Sequence, residues 1–314
     1  MRLDSCRELK RSLRDRGAQL LAQTAVPWLG LGISRVAAGD YRLAVRLQNR
    51  GSAPEGLLRR LAVEAHDEFE IVEVGNIVAL EALDPDELQK RQRPLIPGCS
   101  LGHRDVTAGT LGAFVTVEGV AHLLSNNHVL GNSGRAELGD PALQPGIADD
   151  GDPTVDQVAE LAALVPLHED QPNRVDAAVA RLNDEIEFRP QRYPGGPLRG
   201  VVEAVADVEV AKIGRTTGHT EGRVTAFEVD GLQIDFGFAQ LVFEGQVEVS
   251  GRNGTFSSGG DSGSVIWTVD DRAGLGLLFA GSESGGPGDT GLTYANPLQE
   301  VLRALDARLT KAEA

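Results

Sequence analysis

The chain has 314 residues, with 46 Asp and Glu against 30 Lys and Arg, a net charge of −16. That charge argues against nucleic acid or an anionic membrane surface as a partner, and no apolar run is long enough to cross a bilayer. Thirty-eight glycines, few aromatic residues and many short Val/Leu/Ala runs point to a β-rich body with tight turns. The opening stretch Met1–Lys10 mixes charges and has no apolar signal core. The two cysteines, Cys6 and Cys99, do not suggest a disulfide framework, so the chain is expected in the cytoplasm.

Residues 1–97 read as a small α+β domain. Leu3, Cys6, Leu9 and Leu13 recur at helical spacing. The basic face between them (Arg7, Lys10, Arg11, Arg14) is either a binding arm or a solvated helix face, and the solvated face is favoured. Strand signals follow at 28–33 and 41–47, a helix at 56–66 and one or two strands over 69–80. The charged run 87–94, closing in Pro94, is the expected linker. Cys99 and His103 lie close together, but two residues do not make a metal site, and structural roles are expected for both.

Residues 98–190 read as a first β-barrel. Gly109–Val117 is a strand, Glu118-Gly119 a hairpin turn, and Val120–Ser125 the returning strand. His128 follows where this strand gives way to polar residues, which suits a general base: rigid support behind, open cleft before. The competing reading is a packed or capping histidine. Asp176 stands directly before the apolar run 177–182. A buried carboxylate there needs hydrogen-bond donors, such as an imidazole N–H and backbone N–H groups. A strand-end Asp in a turn is the alternative, and Asp156 and Asp170 compete for the role from less suitable positions.

Residues 191–295 read as a second β-barrel, from strand signals at 208–213, 224–229, 241–249, 265–269, 275–280 and 292–295. Between them lies Gly259-Gly260-Asp261-Ser262-Gly263-Ser264. Glycines flanking a Ser permit a turn that sets two N–H groups beside its hydroxyl, with an apolar strand behind. Residues 296–314 are expected to form a helix on the second barrel, with Asn296 as N-cap, Pro297 in the first turn and Leu298, Val301, Leu302, Leu305 and Leu309 as its stripe.

His128, Asp176 and Ser262 occur in that order. An α/β-hydrolase needs its His after the Ser, and none of the six histidines follows Ser262. A cleft between two barrels would instead unite the three.

At these residues the chain resembles the chymotrypsin-like serine proteases, double β-barrel enzymes. The motifs that carry the resemblance are Ser125–Leu130, Val175–Val179, Gly259–Ser264 and the run Gly214–Ala226. With the stretches Gly98–His103 and Gly139–Gly146, the chain is similar more narrowly to an intracellular bacterial group related to the plant Narrow Leaf proteases.

The resemblance implies a trypsin-like serine endopeptidase with no metal or cofactor, acting on a protein or peptide substrate. In it Ser262 is the nucleophile, His128 the base and Asp176 its orienting acid. The N–H groups of Gly260 and Ser262 form the oxyanion hole. The primary pocket has its floor near Phe256 and a wall of Ala280, Gly281 and Ser282. Phe256 is not an Asp, so cleavage after Arg or Lys is not implied. Ala280 stands where many relatives have a Ser bonded to the triad Asp, and Glu221 where secreted relatives have a Cys.

The N-terminal domain could restrain the cleft, recruit a substrate or build a homo-oligomer. Two rival readings are a non-catalytic binding or assembly protein on the same fold and an esterase or acyltransferase using the same triad.

Overall fold

The glycine-punctuated alternating pattern folds into short antiparallel strands that curl around two cores. The computed structural model describes residues 1–21, 29–47, 59, 62–66, 68–74, 77–78 and 87–310. The N-terminal part holds α1 (Leu3–Leu21), β1 (Leu29–Ala37), β2 (Asp40–Leu47), β3 (Phe69–Glu73) and β4 (Ile77–Val78). The first β body holds β5 (Ser100–His103), β6 (Gly109–Thr110), β7 (Ala113–Val117), β8 (Val120–Ser125), helix α2 (Asn127–Leu130), β9 (Pro141–Leu143), β10 (Gln157–Leu164) and β11 (Ala178–Leu182). The second holds β12 (Gly200–Val201), β13 (Glu209–Gly214), β14 (Gly218–Asp230), β15 (Leu232–Asp235), β16 (Gln240–Phe243), β17 (Gln246–Gly251), β18 (Val265–Thr268), β19 (Ala273–Ser282) and β20 (Thr293–Pro297). Helix α3 (Leu298–Ala304) and β21 (Arg308–Leu309) close the chain.

The fold is mainly β and arranged as a double barrel, the class expected. In the second body β13, β14, β17, β20, β19 and β18 pair antiparallel in a closed ring. Closure leaves these strands no free edge within the ring. Its interior holds Val210, Val224, Val249, Phe256, Ile266 and Leu278. The first body is an open curl in the order β7-β8-β11-β10-β9-β5-β6, around Leu101, Phe114, Leu123, Leu161 and Ala180.

The N-terminal elements are integrated with the second barrel. Strand β1 pairs antiparallel with β14, extending its sheet through β2 and β3. Helix α1 is present as the spacing predicts, with Cys6 buried beside Ile33, Ala206 and Phe227. Its basic face is partly solvated, as favoured, with Arg11 exposed, while its other three cations also pair across the fold. Arg7 bonds Glu228, Lys10 meets Glu228 and Asp230, and Arg14 meets Asp230 and Glu244. These acids lie in or beside the second barrel, so their pairing with the helix was not visible from local spacing. Trp28 and most of the helix expected over 56–66 lie outside the described residues, as do 79–80; residues 62–64 are helical. The expected linker forms a turn at Glu87–Gln89 and is tied down: Gln89 donates to Arg215 O and Gln92 N–H to Gln144 Oε1.

The chain's end differs from expectation. Helix α3 stops at Ala304, and Leu309 lies in β21, paired with Val115 of β7. Leu298 and Val301 pack with Val115, Leu124 and Val179 of the first body and Val265 and Leu277 of the second. Burying each is worth about 1.5–3 kcal/mol, so α3 joins the two bodies rather than lying on one. Asn296 is not the N-cap. It belongs to β20, and its side chain accepts from Asp176 N–H and donates to Gln246.

Candidate active site

His128 sits in the single turn α2, directly after β8. Two asparagines fix that turn: Asn126 donates to Asp176 O, while Asn127 donates to Val165 O and accepts from Gly134 N–H. The Asp176 carboxylate is fully buried. Its Oδ1 accepts the His128 backbone N–H at 3.1 Å, and its Oδ2 meets His128 Nδ1 in a short contact. A carboxylate against Nδ1 favours the tautomer that carries its proton there. Nε2 is left as the lone-pair nitrogen, and it has no hydrogen-bond partner among the described residues.

The Ser262 turn is built around Asp261. This carboxylate is wholly buried and accepts from Ser258 N–H, Thr216 N–H, Thr217 N–H and the Thr217 hydroxyl. Lys212 Nζ, also fully buried, stands 3.2 Å away. The run Gly214–Ala226 singled out in the sequence therefore includes the hairpin turn that anchors the serine loop. The cation came from β13, too distant in sequence to be named in advance.

Glycines are required where the two bodies touch. A Cβ at Gly263 would lie 2.1 Å from Ser125 Oγ, and one at Gly112 2.0 Å from Gly263 O. A Cβ at Gly109 would stand 2.4 Å from Val129, the neighbour of His128, and 3.0 Å from Ser262 O. Val129, next to His128, and the Ser262 backbone thus both pack against the same point of β6.

Ser262 is 1% exposed, and its hydroxyl lies 3.5 Å from Phe279 O. It does not bond His128. The N–H groups of Gly260 and Ser262 donate to no acceptor among the described residues. Gly260 has φ +89°, the left-handed region open to glycine.

The other residues singled out in the sequence are placed by their packing and pairing. Phe256 is inside the second-barrel core, its carbonyl accepting from Thr220. Ala280 is fully buried among Phe279, Tyr294 and Leu292. Gly281 and Ser282 pair antiparallel with Val78 and Ile77 of β4, whose Val78 also pairs with Asp235 of β15. Cys99 lies in the first core, and His103 bonds Asp140.

A cleft of about 630 Å³ opens beside His128, lined by Asp105, Val129, Arg135, Phe236 and Phe238. The edge of Phe236 meets the His128 ring at 5.8 Å, and Arg135 lies over Phe238 at 4.4 Å. Phe238 is 39% exposed. Sequence reading passed over these aromatics. Their one local signal was the apolar Phe236-Gly237-Phe238 triplet in a turn, which says nothing of a neighbouring histidine.

No family model matches this chain, and no curated protein sequence matches it. Among solved structures, it is similar to protease A of Thermobifida fusca, at 18% identity and TM-score 0.47, covering 69% of this chain and 98% of that one. It is similar to a chymotrypsin of Cellulomonas bogoriensis at 19% identity and TM-score 0.46, covering 68% and 97%. A Nocardiopsis protease aligns at 16% identity and TM-score 0.48, over 69% and 98%.

Proposed function

We propose that this chain is a serine endopeptidase in which His128, Asp176 and Ser262 form the catalytic group, acting in the cytoplasm on a protein substrate. The observation that carries the reading is the His128–Asp176 couple with its unbonded Nε2, together with a serine turn, held against β6, whose Gly260 and Ser262 N–H groups are unpaired among the described residues. The reading requires the Ser262 hydroxyl to leave Phe279 O for Nε2, through a change of rotamer.

In that arrangement Ser262 Oγ attacks the scissile carbonyl carbon as Nε2 takes its proton. Asp176 stabilises the imidazolium, and the proton then passes to the leaving amine. The N–H groups of Gly260 and Ser262 receive the developing oxyanion. One such donor is worth about 3 kcal/mol in the transition state. Water repeats the sequence on the acyl-enzyme. A substrate side chain lying beside His128 would rest on Phe236 and Phe238, which favours an apolar residue there.

The backbone of β4 pairs with Gly281 and Ser282 at the end of β19, two residues beyond Phe279. A peptide adding to that edge as a strand would have to displace it. The reading therefore includes restraint by the N-terminal part. The buried, separate thiols of Cys6 and Cys99 support a reducing compartment.

A second reading, a non-catalytic binding protein, is favoured by the Ser262 hydroxyl being turned to Phe279 O. It is also favoured by an Asp176 carboxylate whose donors among the described residues all belong to His128. Labelling with a fluorophosphonate probe separates the two. Labelling of the wild type, but not of Ser262→Ala or His128→Ala, is the expected result. A wild type that stays unlabelled, also with Val78→Pro introduced to loosen β4, would overturn the proposal.

A further inference from the structure

We propose that Thr110 and Thr216, one from each β body, are positioning residues that aim the Gly260 N–H at the reacting carbonyl. The inference rests on the protease reading above and adds to it two residues that touch no substrate.

The two hydroxyls hold consecutive carbonyls of the serine turn. Thr216 Oγ1 donates to Gly259 O, and Thr110 Oγ1 donates to Gly260 O at 2.8 Å. The direction of both bonds follows from their other partners. Thr110 Oγ1 also receives Arg215 N–H at 3.0 Å, and Thr216 Oγ1 receives Arg215 Nη1 at 3.2 Å. Both of those groups can only donate, so each hydroxyl proton is left for the glycine carbonyl.

Gly259 O and Gly260 N–H belong to the same peptide group. In a trans peptide the C=O and the N–H point in opposite directions. Pinning Gly259 O toward Thr216 therefore sets where the Gly260 N–H points. Pinning Gly260 O fixes the next peptide plane, so that Gly260 is held on both sides. This matters because Gly260, at φ +89°, has no side chain to resist rotation.

Thr110 is fully buried, and its backbone is also committed. Its N–H donates to Ser262 O at 2.8 Å, and its carbonyl accepts from Ser125 Oγ at 2.8 Å. Thr110 thus binds the carbonyls of Gly260 and Ser262, while Asp261 between them is held by Lys212 and the 216–217 turn.

The test compares Thr110→Val and Thr216→Val, which keep the shape and remove the hydroxyl, with Thr110→Ser and Thr216→Ser, which keep it. Turnover of fluorescent casein gives kcat and KM, and the fluorophosphonate labelling rate reports the same donors with a different electrophile. Losing an oxyanion donor outright costs about 10²–10³ in kcat. A misdirected donor should cost at least about tenfold, with KM unchanged, because the bond matters chiefly in the transition state. The Ser variants should recover most of the rate. A Val variant that unfolds is replaced by Thr→Ala, which also removes the hydroxyl and leaves the carbonyl unheld, and which carries the same expectation.

Val variants within twofold of wild type in kcat would overturn the inference. So would Ser variants as impaired as Val, or a loss that falls on KM alone. A wild type with neither labelling nor turnover, even with Val78→Pro, would instead bring down the protease reading and this inference with it.

Discussion

The junction between the N-terminal strands and the second barrel can be tested at one buried ion pair. Arg46 of β2 is 3% exposed and Glu248 of β17 is fully buried. Arg46 Nε and Nη2 bond the two Glu248 oxygens at 2.6 and 2.7 Å. Arg46→Met removes the cation and leaves the carboxylate in a dry site. Breaking a buried pair this way costs about 3–5 kcal/mol. Thr225 and Tyr294 still donate to Glu248, at 2.8 and 3.3 Å, which places the expected loss near the lower end, about 3 kcal/mol.

Urea unfolding followed by circular dichroism is the assay. With a slope of about 3 kcal/mol/M for a chain of this size, the midpoint should fall by about 1 M. Adding Glu248→Gln removes the stranded charge and should restore much of the loss. A loss below about 1 kcal/mol, or no recovery on adding Glu248→Gln, would refute the claim that this pair welds the two parts. The same geometry argues against studying residues 97–314 alone, since that fragment would lack Arg46 and Lys10.

Ser262→Ala should lower proteolysis by about 10⁵–10⁶ in kcat with its urea midpoint kept, and a turnover within tenfold of wild type would remove Ser262 from the mechanism. Val78→Pro removes a backbone N–H from β4, so casein hydrolysis should accelerate. A rate equal to wild type would mean that the β19 edge is open to substrate already. Burial pushes the Cys6 thiol up to about 11 and the Cys99 thiol up to about 12. Neither should react with iodoacetamide in the native protein at about pH 8, and both should react in urea. Mass spectrometry reads the adducts, and modification of native Cys99 would contradict its place in the first core.

Much of this protein is written locally. The second-barrel strands are apolar runs set off by glycines, and such runs bury wherever they dock. The run 241–249 nevertheless divides into β16 and β17 at Gly245, which has φ +73°. The prominence of His128, Asp176 and Ser262 is local too: each lies where an apolar strand meets a turn, in an order that excludes one rival fold. Gly260 and Gly263 were legible because glycine suits the positive φ that both adopt, and Gly263 also has no room for a side chain.

Tertiary structure alone decided what lies against what. The α1 basic face meets Glu228, Asp230 and Glu244 more than 200 positions away, and nothing in either segment's own periodicity names the other. Asp261 drew its cation from Lys212, Asn296 left the helix to hold the Asp176 backbone, and Leu309 crossed to β7. The cleft beside His128 acquired Phe236 and Phe238 because β15 returns past α2. Local patterning determines which face of an element is apolar and where the backbone can turn. Long-range contacts then depend on how closed sheets bring distant edges together, through interactions too numerous and too weak singly to be read from any one stretch of sequence.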